Sequence, residues 1–190
     1  MTHTVADAHL HIFSHGFPGP GGRALLGAEP EVEAYENLRR LHGIVCGLVV
    51  GFEADGIDPA NNAYIRKLAS ARSWIATLAY MAADPPPESG AVAAYLDAGH
   101  SGIAIYALDE TSAAAVTDWP RAVWRVLGDR AAVVSFNARP SAISSLAKFV
   151  RREEEVSFLF SHVGLPGRHP TIPSMPEARQ RLAPLLVFRC

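Results

Sequence analysis

Glu31-Val-Glu-Ala-Tyr-Glu-Asn-Leu-Arg-Arg-Leu-His42 is followed by one glycine and then by Ile44-Val-Cys-Gly-Leu-Val-Val-Gly-Phe52. In the first stretch the apolar residues Val32, Tyr35, Leu38 and Leu41 recur at helical spacing, so they form one side of an amphipathic helix. The second stretch is apolar nearly throughout. A strand of that kind is buried on both faces, as in a parallel sheet covered by helices. The same alternation extends in both directions. Strands are expected over Val5–Phe13, Trp74–Tyr80, Gly102–Leu108, Ala131–Phe136 and Val156–Phe160. Helices are expected over Pro59–Arg72 (Ile65 and Leu68 inward), Gly90–Ala98, Trp119–Leu127, Pro140–Arg151 and Met175–Leu186. A strict strand-then-helix order over six units implies an α/β fold, either a (β/α)8 barrel or an open doubly wound sheet. No Gly-x-Gly-x-x-Gly follows the first strand, which argues against a dinucleotide site.

The chain has 190 residues, 49% hydrophobic and 19% charged, enough to bury a core in a single domain and too apolar for a disordered chain. Its 17 Lys+Arg against 19 Asp+Glu give a net charge of -2 with no basic stripe, so no nucleic-acid partner is expected. Gly43–Phe52, the longest apolar run, is too short to span a membrane, and the first residues lack a signal-peptide pattern. A cytoplasmic setting with a small-molecule substrate is the expectation. Two cysteines cannot make a disulfide scaffold, and Cys46, inside an apolar run, is expected to be buried. The loop Ser14–Pro30, rich in glycine and proline, has the length of a functional lid.

The chemistry-bearing residues begin on the first strand. Asp7, His9 and His11 in Asp-Ala-His-Leu-His share one face by period-two alternation. Two imidazoles ~6.5–7 Å apart along a strand can converge on one ion. Asp7 is then a supporting hydrogen-bond partner or a weak ligand. His162 follows the sixth strand, at the carboxyl end where parallel α/β folds build their sites. Arg168, in the loop after it, is a cation able to meet a substrate carboxylate. Glu53 and Asp55 follow the second strand, at the rim or in a solvated turn. His15 is expected in a loop, and His3, His42, His100 and His169 on the surface. Asp118, before Trp119-Pro120, is expected to cap a helix. Ser174 and Glu177 form a capping box for the last helix.

Asp7-Ala8-His9-Leu10-His11, joined to Phe160-Ser161-His162-Val163-Gly164 some 150 residues later, resembles the amidohydrolase-related (amidohydrolase 2) family. Asn61-Asn62-Ala63-Tyr64 and Gly102-Ile103-Ala104-Ile105 add smaller likenesses, and the resemblance covers nearly the whole chain. It implies a TIM barrel and one divalent ion, zinc in most of the family, held by His9, His11 and His162. It further implies hydrolysis of a small lactone or amide by a metal-activated water, or nonoxidative decarboxylation in one branch. Arg168 and Asn137 are the substrate-binding candidates. Ser135-Phe136-Asn137 lacks a histidine and Gly102–Leu108 lacks a lysine, which favours one metal and the lactonase-like branch. In the family an eighth strand supplies an aspartate that binds metal and acts as general base. This sequence ends at Cys190, so about six βα units are expected, with the last two missing. The rival expectation is an inactive barrel remnant that at most binds metal, its open strand edges inviting a second copy. A polymerase-and-histidinol-phosphatase type of phosphoesterase shares the opening His-x-His but needs further His/Glu ligands, of which no convincing set is present.

Overall fold

The computed structural model describes residues 5–17, 30–53 and 57–164, with isolated positions 176, 177, 180 and 183 beyond them. His3, Asp55, Arg168, His169, Ser174, most of the Ser14–Pro30 loop and most of the expected last helix lie outside the described residues. The chain divides into two compact units, Met1–Tyr80 with Ala98–Ser101, and Met81–Asp97 with Gly102–Cys190.

In the first unit β1 (Val5–Leu10), α1 (Glu31–His42), β2 (Ile44–Val50), α2 (Asn61–Ala71) and β3 (Ile75–Met81) follow in order, the last residue of β3 falling in the second unit. β1 pairs with β2 and β2 with β3, both parallel. Helix α1 stops where expected because Gly43 takes a left-handed φ of 66° and returns its N–H to Arg39 O, so β2 starts one residue later. The core gathers Ile12, Val32, Val49, Ile65, Leu68, Trp74 and Ile75.

Three expectations change in this unit. Leu38 and Leu41 are exposed, by 47% and 79%. The helix is anchored instead by Val32, by Tyr35 stacked on Trp74 (centroids 5.5 Å apart) and by the Arg39 guanidinium over the same indole. Cys46 is exposed rather than buried. It pairs with exposed Ala6 in the first half of β2, while burial begins at Gly47, so an unbroken apolar run is not unbroken burial. His100 is buried, at 5% exposure, not a surface residue. Burial, helped by the nearby Arg66 charge, holds its imidazole down to about 4. An unfolded chain takes up this proton near 6.5, before the folded one does. The stability conferred by neutral His100 is therefore present above pH 6.5 and lost as pH falls toward about 4. Urea midpoints measured from pH 7 to 4 are expected to fall for the wild type and to fall less for His100→Asn; equal slopes would refute this.

In the second unit α3 (Ser89–Asp97), β4 (Gly102–Ala107), α4 (Glu110–Thr117), α5 (Arg121–Asp129), β5 (Val133–Ala138), α6 (Pro140–Val150) and β6 (Ser157–Phe160) lead into a 3-10 turn, Ser161–Gly164. β4, β5 and β6 pair in parallel. Ile103, Ile105, Val134 and Phe136 from the strands meet Val116, Trp124, Leu127, Ile143 and Leu146 from the helices. Here the expected single helix after β4 is two. Asp109 caps α4 through a reciprocal box with Ser112, whereas Asp118 ends α4 rather than starting a helix. Pro120 is the N-cap of α5 and makes no side-chain cap there. The proline separates the pair, since it cannot continue the α4 ladder. Among the described residues, no helix is long and apolar enough to cross a membrane.

Candidate metal centre

The first unit brings two of the candidate ligands together. β1 ends at Leu10, sooner than expected, and His11 lies just past it. The rings lean toward each other, edge to face, with centroids 4.9 Å apart and Nε2 atoms 3.2 Å apart. Two nitrogens each ~2.0–2.1 Å from a tetrahedral ion lie ~3.3 Å apart, so this separation fits one shared ion. The partner of His11 Nδ1 is the Val50 carbonyl at 2.7 Å, which can only accept. Nδ1 therefore carries the proton and Nε2 presents a lone pair, the tautomer a metal ligand needs. Phe13 lies alongside the His11 ring (5.9 Å) and Phe52 meets it edge-on (6.2 Å), giving the pair apolar walls.

Asp7 holds the pair from the backbone side. Its Oδ1 accepts the His9 N–H and its Oδ2 accepts the Tyr35 hydroxyl, so its carboxylate ties the His9 backbone to α1. Burial first, then Asp7, raises the Tyr35 pKa, keeping that hydroxyl a donor. Glu53 is half-buried and accepts the Asn62 N–H, which is more than a solvated turn. Burial pushes its carboxyl above the usual range, with Asp58 adding and the Asn62 bond opposing. His15 and His42 are exposed, as expected.

The second unit holds the other candidates. His162 is the second residue of the turn after β6, exposed, with φ at 53°. That left-handed backbone costs ~1–2 kcal/mol for a non-glycine residue. Ala131 does the same (φ 47°) between α5 and β5, so strain alone does not mark a site. The buried Ser135 and Ser161 hydroxyls, 3.1 Å apart, tie this turn to β5. Asn137 is half-buried on β5 opposite Tyr106. A surface cavity of about 310 Å³ sets Arg121, Arg125 and Arg152 against Glu153, Glu154 and Glu155, a balanced charge set with no histidine. Among the described residues, no group of three or more His, Cys, Asp or Glu is arranged to hold a metal ion. The observed donor set is thus the two-histidine pair.

Sequence reasoning missed the groups that brace this pair. Asp58, Asn61 and Asn62 are buried polar residues, at 4%, 0% and 2% exposure. Burial works against Asp58, but bonds from the Ser14 N–H and hydroxyl, then Asn61 and Ala60, hold its carboxyl below the usual range. The signal available was Asp58 three residues before an Asn-Asn pair at a helix start. Polar residues there usually cap the helix; here Asp58 also reaches Ser14, Asn61 the segments just past β1 and β2, and Asn62 the backbone of β3.

No protein-family profile matches the sequence, and no curated protein matches it. Solved structures do. An amidohydrolase of Burkholderia multivorans with bound zinc aligns over 96% of this chain at 17% identity and a TM-score of 0.63. Amidohydrolase 2 from Bifidobacterium longum subsp. infantis aligns over 98% at 17% identity and a TM-score of 0.61. A probable 2-pyrone-4,6-dicarboxylic acid hydrolase of Acinetobacter baumannii, with citric acid bound, aligns over 84% at 15% identity and a TM-score of 0.60. The chain spans 65%, 70% and 58% of these three structures. At such identities the likeness shows the fold alone: a partial TIM barrel of six parallel strands, one of the two layouts the alternation allowed and the one the family resemblance implied.

Proposed function

We propose that this chain belongs to a metal-dependent hydrolase of the amidohydrolase-related kind, acting on a small lactone or amide in the cytoplasm. The observation that carries the reading is the His9–His11 pair, with Nε2 atoms 3.2 Å apart and the His11 tautomer fixed by Val50. The zinc reported in the Burkholderia multivorans structure agrees with it. His9 and His11 would hold a divalent ion, which when bound would polarise a carbonyl as a Lewis acid and lower the pKa of a bound water toward ~7. The chain's own residues do the rest. Val50 keeps the proton on His11 Nδ1, Asp7 fixes the His9 backbone, and Phe13 and Phe52 limit solvent around the pair. His162 is proposed as a third ligand, and Arg168 and Asn137 as substrate contacts, on the reading of the sequence alone.

The test is an assay of the zinc- and manganese-supplemented protein against a panel of lactones, amides and small aromatic acids. Ring opening or amide cleavage that requires the metal, and disappears in His11→Ala, is the expected result. Metal-dependent release of carbon dioxide without hydrolysis would replace this reading with a decarboxylase. Absence of turnover on the whole panel, with zinc bound, would leave the metal site and remove the hydrolase.

A further inference from the structure

We propose that Asn61 is a positioning residue that sets the tautomer and aim of His11, and this rests on the reading of His9 and His11 as metal ligands. The regular β1–β2 ladder is already irregular between Asp7 and Leu10, and its last pairing is Leu10 with Val49. The bond from His11 Nδ1 to Val50 O lies just beyond that point. There the Asn61 carboxamide joins the two segments. Its Nδ2 donates to Ile12 O at 2.8 Å, one residue past His11. Its Oδ1 accepts the Phe52 N–H at 3.0 Å, two residues past Val50. The amide orientation is unambiguous, because one neighbour can only accept and the other can only donate. A planar group of fixed span thus sets how far the imidazole stands from the carbonyl that holds its proton.

Its neighbours keep this group in place. Asp58 Oδ2 takes the Ser14 N–H and hydroxyl and lies 3.5 Å from Asn61 Nδ2. Asn62 pairs with both backbone groups of Tyr80, accepting its N–H at 2.7 Å and donating to its carbonyl at 3.0 Å. Gly51, between Val50 and Phe52, admits no side chain: a Cβ there would overlap Asn62 Oδ1 and stand 2.8 Å from Tyr80 N. The ends of β1, β2 and β3 are therefore registered by two side chains on the first turn of α2. Only an amide can do this at position 61, since Asp lacks the donor and Leu lacks both groups.

The experiment uses histidine labelled with nitrogen-15, and reads the tautomer of His11 in the metal-free protein at pH 8 from its two-bond proton–nitrogen correlations. Zinc affinity is measured in parallel. Wild type is expected to show His11 protonated at Nδ1. In Asn61→Ala a second population protonated at Nε2 is expected, with zinc affinity weakened ~10–100-fold, the range for losing a ligand's supporting partner. Leu68→Ala, a core truncation in the same unit, is expected to lower stability without moving the tautomer. Folded Asn61→Ala with an unchanged tautomer overturns the proposal. If that variant does not fold, Asn61→Ser is read the same way, and failure of both to fold assigns Asn61 a structural role only. A shifted tautomer in a protein that binds no zinc upholds the positioning role and refutes the metal reading instead.

Discussion

Replacing His9 and His11 together with alanine is expected to abolish zinc retention while leaving the chain folded. Both side chains are half-buried at the end of β1, outside the core cluster of their unit, so their loss opens no large cavity. The energetic reason for a large effect on zinc is simple. In structural zinc sites with four ligands ~10–16 kcal/mol of binding amounts to roughly 3 kcal/mol per ligand. That corresponds to over ~100-fold in affinity for each imidazole lost. His42→Ala, an exposed histidine on the last turn of α1, is the control and should change nothing. Equilibrium dialysis against zinc, followed by elemental analysis, measures both. Zinc bound equally by the double variant would assign the metal to other residues.

Phe136→Ala is expected to cost ~3–5 kcal/mol, the usual range for deleting a fully buried aromatic ring. Phe136 is 0% exposed at the centre of β5. It stacks on Phe158 with centroids 5.7 Å apart and planes 9° apart, and meets Phe160 at 5.6 Å. Removing it takes packing partners from β6, the strand that leads into the turn carrying His162. Against a total stability of ~5–15 kcal/mol this is a large fraction. Urea unfolding followed by tryptophan fluorescence reads it, since Trp124 lies in the same cluster. A loss under about 1 kcal/mol would mean that β5 is not the centre of this unit's core.

What the sequence revealed and what it hid have different physical origins. The strands were legible because β4 and β5 are buried along nearly their whole length, so apolar residues dominate them, with Ser135 and Asn137 the polar exceptions on β5. The α1–β2 junction was legible because a single glycine, Gly43, ends the helix and separates it from the strand. The His-x-His pair was legible because period two fixes its facing. The extent of burial was not legible. Cys46 and Leu41 are as apolar as Val49, and only the neighbours decide which of them is covered. The split of α4 from α5 was written in Asp109-Glu-Thr-Ser112 and in Pro120, but the small residues Ala113 to Ala115 make a weak helical pattern. The Asn61 and Asn62 braces were hidden because their partners are backbone groups just past β1 and β2 and on β3, distant in sequence, which no local pattern marks.

The central claim, that the imidazoles of His9 and His11 ligate one divalent ion, is tested most directly by zinc K-edge X-ray absorption on the zinc-loaded protein. The account predicts nitrogen scatterers at ~2.0–2.1 Å. It also predicts the outer-shell multiple scattering of at least two imidazoles, lost in the His9→Ala, His11→Ala variant. A spectrum showing oxygen or sulfur ligands without an imidazole pair, or one unchanged in that variant, would contradict it.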